Sequence, residues 1–232
     1  MTDGKKAMAA KAEKIKAYKK LLKMAKKEEL AEDEDVEANG IGCLSTILTL
    51  EWSEKGEFED RRTRESYFNE LLCDLAERNE LAGMDIKDGK KIEQESQVIQ
   101  LALTAGANPN CDCPYDIDPS KPIFDAFIEN DKFHGALLVA KTPGFKGPGY
   151  QDAFELLDYY LCDDHKHEYP GKAEMPYARE LVYVLFSKGM KPYNPEIRKS
   201  LQPIYEEEKK AREKAPRVAG NVLRRGRVSA SR

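Results

Sequence analysis

The chain has 232 residues, enough for one large domain or a compact repeat array with extensions. Apolar residues make up 41 % of it, so a core can be buried, while charged residues reach 34 %, which calls for much solvated helical surface. No run approaches ~18 consecutive apolar residues, which excludes a helical membrane span, and the N-terminus lacks the apolar stretch and small-residue cleavage site of a secretory signal.

The formal net charge of −4 hides a segregation. Residues 1–27 carry ten lysines against Asp3 and Glu13, a net +8, and residues 209–232 carry nine Lys or Arg against Glu213, again +8. The middle, 28–208, therefore holds −20, so two basic arms flank an acidic body. Five cysteines, at 43, 73, 111, 113 and 162, form no even framework. Cys43, Cys73 and Cys162 sit in apolar patterns where a free thiol acts as a small hydrophobe, and the expected setting is an intracellular, reducing compartment.

In chain order, residues 4–30 predict one long helix with Met8, Ile15 and Leu22 at heptad spacing and Ala12, Tyr18 and Ala25 beside them. The acidic run from Glu32 to Glu37 and the Asn39-Gly40 turn signal end it. Residues 42–52 are apolar but rich in β-branched types, leaving helix against strand open. Helices are then expected at 63–79, where Tyr67, Leu71, Leu72, Leu75 and Ala76 share a face, and at 91–105, through Val98, Leu101, Ala102 and Ala105. Shorter ones follow at 122–130, 133–141, 151–162 and 176–188, with a last at 195–214. No confident run of alternating strands occurs.

Leu101-Ala102-Leu103-Thr104-Ala105-Gly106-Ala107-Asn108-Pro109-Asn110 resembles the end of an ankyrin repeat, an apolar second helix stopped by Gly and followed by turn residues. Lys121-Pro122-Ile123-Phe124-Asp125-Ala126 resembles the opening of such a repeat, with Pro122 in the first turn, where its missing N–H costs nothing. Asn130-Asp131 stands at the inter-helix turn. The closing signature returns at Thr142-Pro143-Gly144-Phe145 and at Lys188-Gly189-Met190. Helix pairs are therefore expected at 63–79 with 91–105, 122–130 with 133–141, and 151–162 with 176–188. The steps from Gly106 to Gly144 and on to Gly189 are 38 and 45 positions, against about 33 in the family. The loops 80–92, 111–120 and 163–175 carry the excess. The resemblance implies an all-α, ankyrin-like helical-hairpin solenoid with a long basic N-terminal helix and a basic C-terminal tail. Its parts are a charged helical extension over 1–39, a repeat domain over 40–200, and a helix end with basic tail over 201–232.

Chemistry-bearing clusters are few. Cys162, His165 and His167 are weak candidate metal ligands, but two histidines one residue apart lack a distant partner pair, and a polar loop after a helix end is the preferred reading, so no metal site is expected. Cys111-Asp112-Cys113 is not a zinc spacing and reads as an exposed inter-repeat turn whose aspartates disfavour a thiolate. Gly144 to Gly149 lacks a phosphate-loop ending and reads as a linker. No nucleophile motif accompanies the three histidines, so neither an enzyme nor a cofactor is expected. The resemblance implies a protein partner held by hairpin loops and first helices, here Tyr115, Asp116, Phe127 and Asn130. The basic arms, through Lys14, Lys19, Lys20 and Lys23 and through Arg224, Arg225 and Arg227, can meet RNA, an anionic lipid surface or an acidic protein, or serve as solubilising tails. The alternative readings are a structural subunit of a ribonucleoprotein or membrane-associated complex and, least favoured, a metal-dependent enzyme centred on 162–168.

Overall fold

A computed structural model describes residues 3–32, 47, 61–77, 89–113, 121–149, 152–162 and 173–214. Its helices are α1 (Asp3–Glu32), α2 (Arg61–Glu77), α3 (Gly89–Ala105), α4 (Ile123–Glu129), α5 (Phe133–Lys141), α6 (Asp152–Cys162), α7 (Met175–Ser187) and α8 (Pro195–Lys214). The described residues are all-α apart from one small ladder. In it β1 (Asp112–Cys113) runs antiparallel to β2 (Lys121–Pro122), with Asp112 opposite Pro122 and Cys113 opposite Lys121. That ladder was not foreseen; its two-residue strands are too short to leave a period-two pattern. Of the stretch 42–52 only Ile47 is described, helical and fully buried.

The second half of α1 docks on α3, with Ala17, Leu21 and Ala25 buried and Tyr18, Leu22 and Met24 packed beside them. The docking stripe therefore advances by four residues, and the heptad positions Met8 and Ile15 stay 75 % and 45 % exposed. Beyond α1, consecutive helices pair as α2 with α3, α4 with α5, and α6 with α7. Across pairs, α2 touches α4 and α4 touches α6, while α3 touches α5 and α5 touches α7. One core runs through this arrangement, from Phe68 and Leu72 through Phe124, Phe127 and Phe133 to Phe154, Leu185 and Phe186. α8 covers α6 and α7 with Ile197, Leu201 and Ile204.

The helix ends follow from glycine. Gly106, Gly144 and Gly189 all have positive φ (128°, 88° and 81°), a region that Cβ-bearing residues avoid. After α3 the Ala107 N–H reaches back to the Ala102 carbonyl at 3.0 Å, and after α7 Met190 reaches Leu185 at 3.0 Å, the same six-to-one closure. Asp131 takes the left-handed position (φ 58°) in the turn between α4 and α5, where Lys132 N–H closes on Phe127 O at 2.9 Å. Asn110 then ties two closing turns together: its amide donates to Gly144 O at 2.9 Å and its oxygen accepts from Lys146 N–H at 2.8 Å.

Cys73 on α2 and Cys113 on β1 form a disulfide with Cα atoms 5.4 Å apart. This corrects the view of Cys73 as a free apolar thiol and of 111–113 as an exposed turn. Cys111 and Cys113 are 7 % and 1 % exposed, because the short ladder folds this segment under α2 and α4. Burial, helped by Asp112 and Glu65 against an opposing backbone hydrogen bond, pushes the Cys111 thiol up to about 12. Asp112 thus disfavours the thiolate as expected, after burial, while Asp116 and Asp118 lie outside the described residues.

Two glycines separate crowding from backbone strain. A Cβ at Gly135 would lie 2.4 Å from the Phe127 ring, whereas one at Gly144 meets nothing within 4 Å and is opposed only by φ. Gly135→Ala is expected to cost about 1–3 kcal/mol by overpacking and Gly144→Ala about 1 kcal/mol, read from urea unfolding. Cys113→Ala, closing no 40-residue loop, is expected to lose about 2–4 kcal/mol on the same assay under oxidising conditions.

Candidate functional site

α5 begins with an ionisable residue in the core. His134 is 1 % exposed, held between Glu95 of α3 (6 %) and Glu174 at the start of α7 (3 %). Glu174 grips it twice: Oε2 accepts the His134 backbone N–H at 2.9 Å, and Oε1 lies 2.5 Å from Nδ1. On the other side Nε2 faces Glu95 Oε2 at 3.2 Å as an ion pair. Burial alone would lower the imidazole's pKa, but the Glu174 hydrogen bond, followed by Glu95, outweighs it and holds the pKa at about 9. His134 is therefore held as a cation at neutral pH, with Nδ1 hydrogen-bonded to Glu174 and Nε2 in ionic contact with Glu95, rather than poised as a general base.

Around the edge of this clamp lies an open cleft of about 360 Å³. Leu137 and Leu138 of α5 floor it, Glu93 and Ser96 of α3 form one wall, and Tyr177 and Glu180 of α7 the other. A smaller recess of about 170 Å³ continues it past Leu138 and Lys141 to Gln100 and Thr104. Glu180 accepts from Lys141 at 2.9 Å and from Arg212 of α8 at 3.0 Å, which overcome its partial burial and hold its carboxyl below the usual range. The cleft is thus an apolar strip whose bounding charges Lys141, Glu180 and His134 are already paired, with Glu93 exposed at its edge, and it is open rather than enclosed on all sides.

The sequence-predicted residues fall elsewhere. Tyr115 and Asp116, His165 and His167, and Arg224, Arg225 and Arg227 lie outside the described residues. Phe127 is 0 % exposed, a core side chain under Gly135 that offers no surface to a partner. Asn130 is half-buried and its amide caps the Ala126 carbonyl at 3.0 Å. Cys162 is a half-buried thiol, outside any disulfide, that donates to the Ser200 carbonyl oxygen at 3.6 Å. Among the described residues no group of three or more His, Cys, Asp and Glu could hold a metal ion, and no helix is long and apolar enough to cross a membrane. Lys19, Lys20 and Lys23 are exposed on α1, but the Lys14 ammonium lies over Gly106 at the end of α3, where the helix presents its negative pole.

Sequence reasoning passed over His134 because no nucleophile or ligand motif surrounds it. A signal was present: Ile92, Glu95, Val98 and Ile99, and Ala102 share the inward face of α3, so Glu95 is a carboxylate on an apolar stripe. No protein-family model, no curated protein and no solved structure matches this chain.

The clamp makes stability depend on pH. Because the folded pKa, about 9, exceeds that of an unfolded histidine, His134 contributes fully below pH ~6.5 and loses its contribution as pH rises through the folded value. Urea unfolding should therefore show stability falling between pH 7 and 10 by an amount on the order of 3 kcal/mol. His134→Gln should be less stable at pH 7 and should lack that part of the slope.

Proposed function

We propose that the chain is a non-catalytic protein–protein interaction module of ankyrin-like helical hairpins, serving as a scaffold or accessory subunit of a larger assembly. The observation that carries this reading is the cleft along α5 between α3 and α7, an apolar strip open at the surface. The stacking of the three hairpins supports the ankyrin-like part, as do the positive-φ glycines that close them at 106, 144 and 189. So does the short ladder between the first and second pairs. Repeat arrays of this kind expose an extended surface and need about three units to bury a continuous core. The partner surface lies on the second helix of each pair, with Leu138 as its apolar anchor and Tyr177 and Glu180 at its rim, rather than on the first helices.

The reading calls for one comparison. Full-length chain and Leu138→Glu are used for affinity capture at high salt after nuclease treatment, so that nucleic acid and loose electrostatic contacts are removed. A protein retained in stoichiometric amount by the wild-type chain should bind the variant at least about tenfold more weakly, a charge in an apolar anchor costing 1.4 kcal/mol or more. Circular dichroism should be unchanged, since Leu138 is only half-buried. Capture of nothing, or equal capture by both chains, counts against the module.

A further inference from the structure

We propose that α1 carries a sequence-independent binding surface for the phosphate backbone of duplex nucleic acid, formed by Lys16, Lys20, Lys23 and Lys27 with Lys19 beside them. This goes beyond the protein-binding cleft and does not rest on it.

These residues stand at positions i, i+4, i+7 and i+11, so they line one face of the helix over about 16 Å of its axis. All are exposed, while Ala17, Leu21 and Ala25 turn the other side of the same turns onto α3. Docking on α3 thus fixes the ridge to the folded body instead of leaving it on a loose tail. None of the five ammonium groups pairs with a carboxylate among the described residues.

A merely solubilising helix would alternate charge. Glu–Lys pairs at i,i+4 stabilise a helix, and like charges at that spacing destabilise it by a few tenths of a kcal/mol. Between residues 5 and 27 there are ten lysines and one glutamate, Glu13, in a chain with 42 acidic residues to draw on. Lys16 with Lys20, Lys19 with Lys23, and Lys23 with Lys27 all face like charge at i,i+4. An external polyanion offsets that repulsion.

The acidic body of a second copy fits the ridge less well, because several of its carboxylates are committed internally and the exposed remainder, such as Glu65, Glu93, Asp152 and Glu196, are scattered over separate helices. Glu180 pairs with Lys141 and Arg212, Glu207 and Glu208 pair with Arg179, and Glu95 and Glu174 pair with His134. A lipid surface fits less well because the ridge lacks a coplanar strip of large apolar side chains; Met8 and Ile15 stand apart from it. Single strands are gripped by base stacking on aromatic side chains, and the one aromatic of α1, Tyr18, is packed against Phe68 with ring centroids 6.1 Å apart. A duplex presents phosphates outward and asks only for cations.

The test is fluorescence anisotropy with a labelled 24-base-pair DNA duplex of mixed sequence, using the full chain from 50 to 200 mM salt. Four phosphate contacts predict that log Kobs falls with log salt at a slope of about −4. Each single Lys→Gln change at 16, 20, 23 or 27 should reduce that slope by about 1, and the quadruple variant should lose measurable binding. Arg224→Gln/Arg225→Gln/Arg227→Gln should keep the ridge-dependent part of the slope. The proposal is overturned if the quadruple variant binds as wild type, if binding follows the arginine variant instead, or if the slope is flat. It is equally overturned if the matching single strand, or vesicles containing phosphatidylserine, bind more tightly than the duplex.

Discussion

The Glu95–His134–Glu174 clamp is the constraint on which the arrangement of the hairpins turns. It joins the second helices of all three pairs through one side chain: Glu95 comes from α3, His134 from α5 and Glu174 from the start of α7. Apolar contacts between helices tolerate sliding, because burial is proportional to area and indifferent to register. A buried cation between two buried carboxylates does not tolerate it, since withdrawing one partner leaves an uncompensated charge out of water. Glu174 sharpens this by binding both the ring and the backbone of His134, which fixes the entry of α5 and the start of α7 together.

The same middle pair concentrates the other buried polar groups. Asp125 on α4 accepts the Gly149 N–H at 2.8 Å, fastening the segment that leads from α5 to α6. Lys132, in the α4–α5 turn and 2 % exposed, hydrogen-bonds the carbonyl at Leu75 on α2. α4 and α5 are only seven and nine residues long, too short to be stable helices alone. Their stability has to come from tertiary contacts, and these polar anchors give those contacts a defined register where apolar area is limited. The longer α7 and α8 are joined at their surface, by Tyr183 stacked on Tyr205 at 5.8 Å, by Arg212 over Tyr183 at 4.4 Å and by the ion pairs of Arg179 with Glu207 and Glu208.

Most of the element list was legible from residues because its signals are local. Apolar spacing, glycine after the last apolar residue and proline at the first place every helix of the described body within two residues of expectation. Gly106, Gly144 and Gly189 were readable as helix ends because a backbone requirement leaves a residue-type imprint. What was not legible is what depends on distance in sequence. The Cys73–Cys113 disulfide joins residues 40 apart, and nothing in the spacing of five cysteines selects that pair. Phe127 looked available for a partner because it stands on a first helix; Phe127 faces Gly135, and it is the absence of a Cβ there that seats the ring in the core. The clamp lies between these extremes, since Glu95 on an apolar face announces a buried partner without naming it.

Charge segregation and fold are linked through α1. Lys16, Lys19, Lys20, Lys23 and Lys27 can stay exposed because the contact that holds the helix to α3 is apolar and made of small side chains, Ala17 and Ala25 beside Leu21. Small residues let the two helix axes approach closely, so a narrow stripe suffices and the rest of the circumference is left to charge. The Lys14 ammonium lies near Gly106, at the negative end of α3. Lys16, Lys19, Lys20, Lys23 and Lys27 are exposed on the turns whose other side packs on α3. An ionic contact with the body at every turn would have neutralised the arm; an apolar one positions it and leaves its field directed outward.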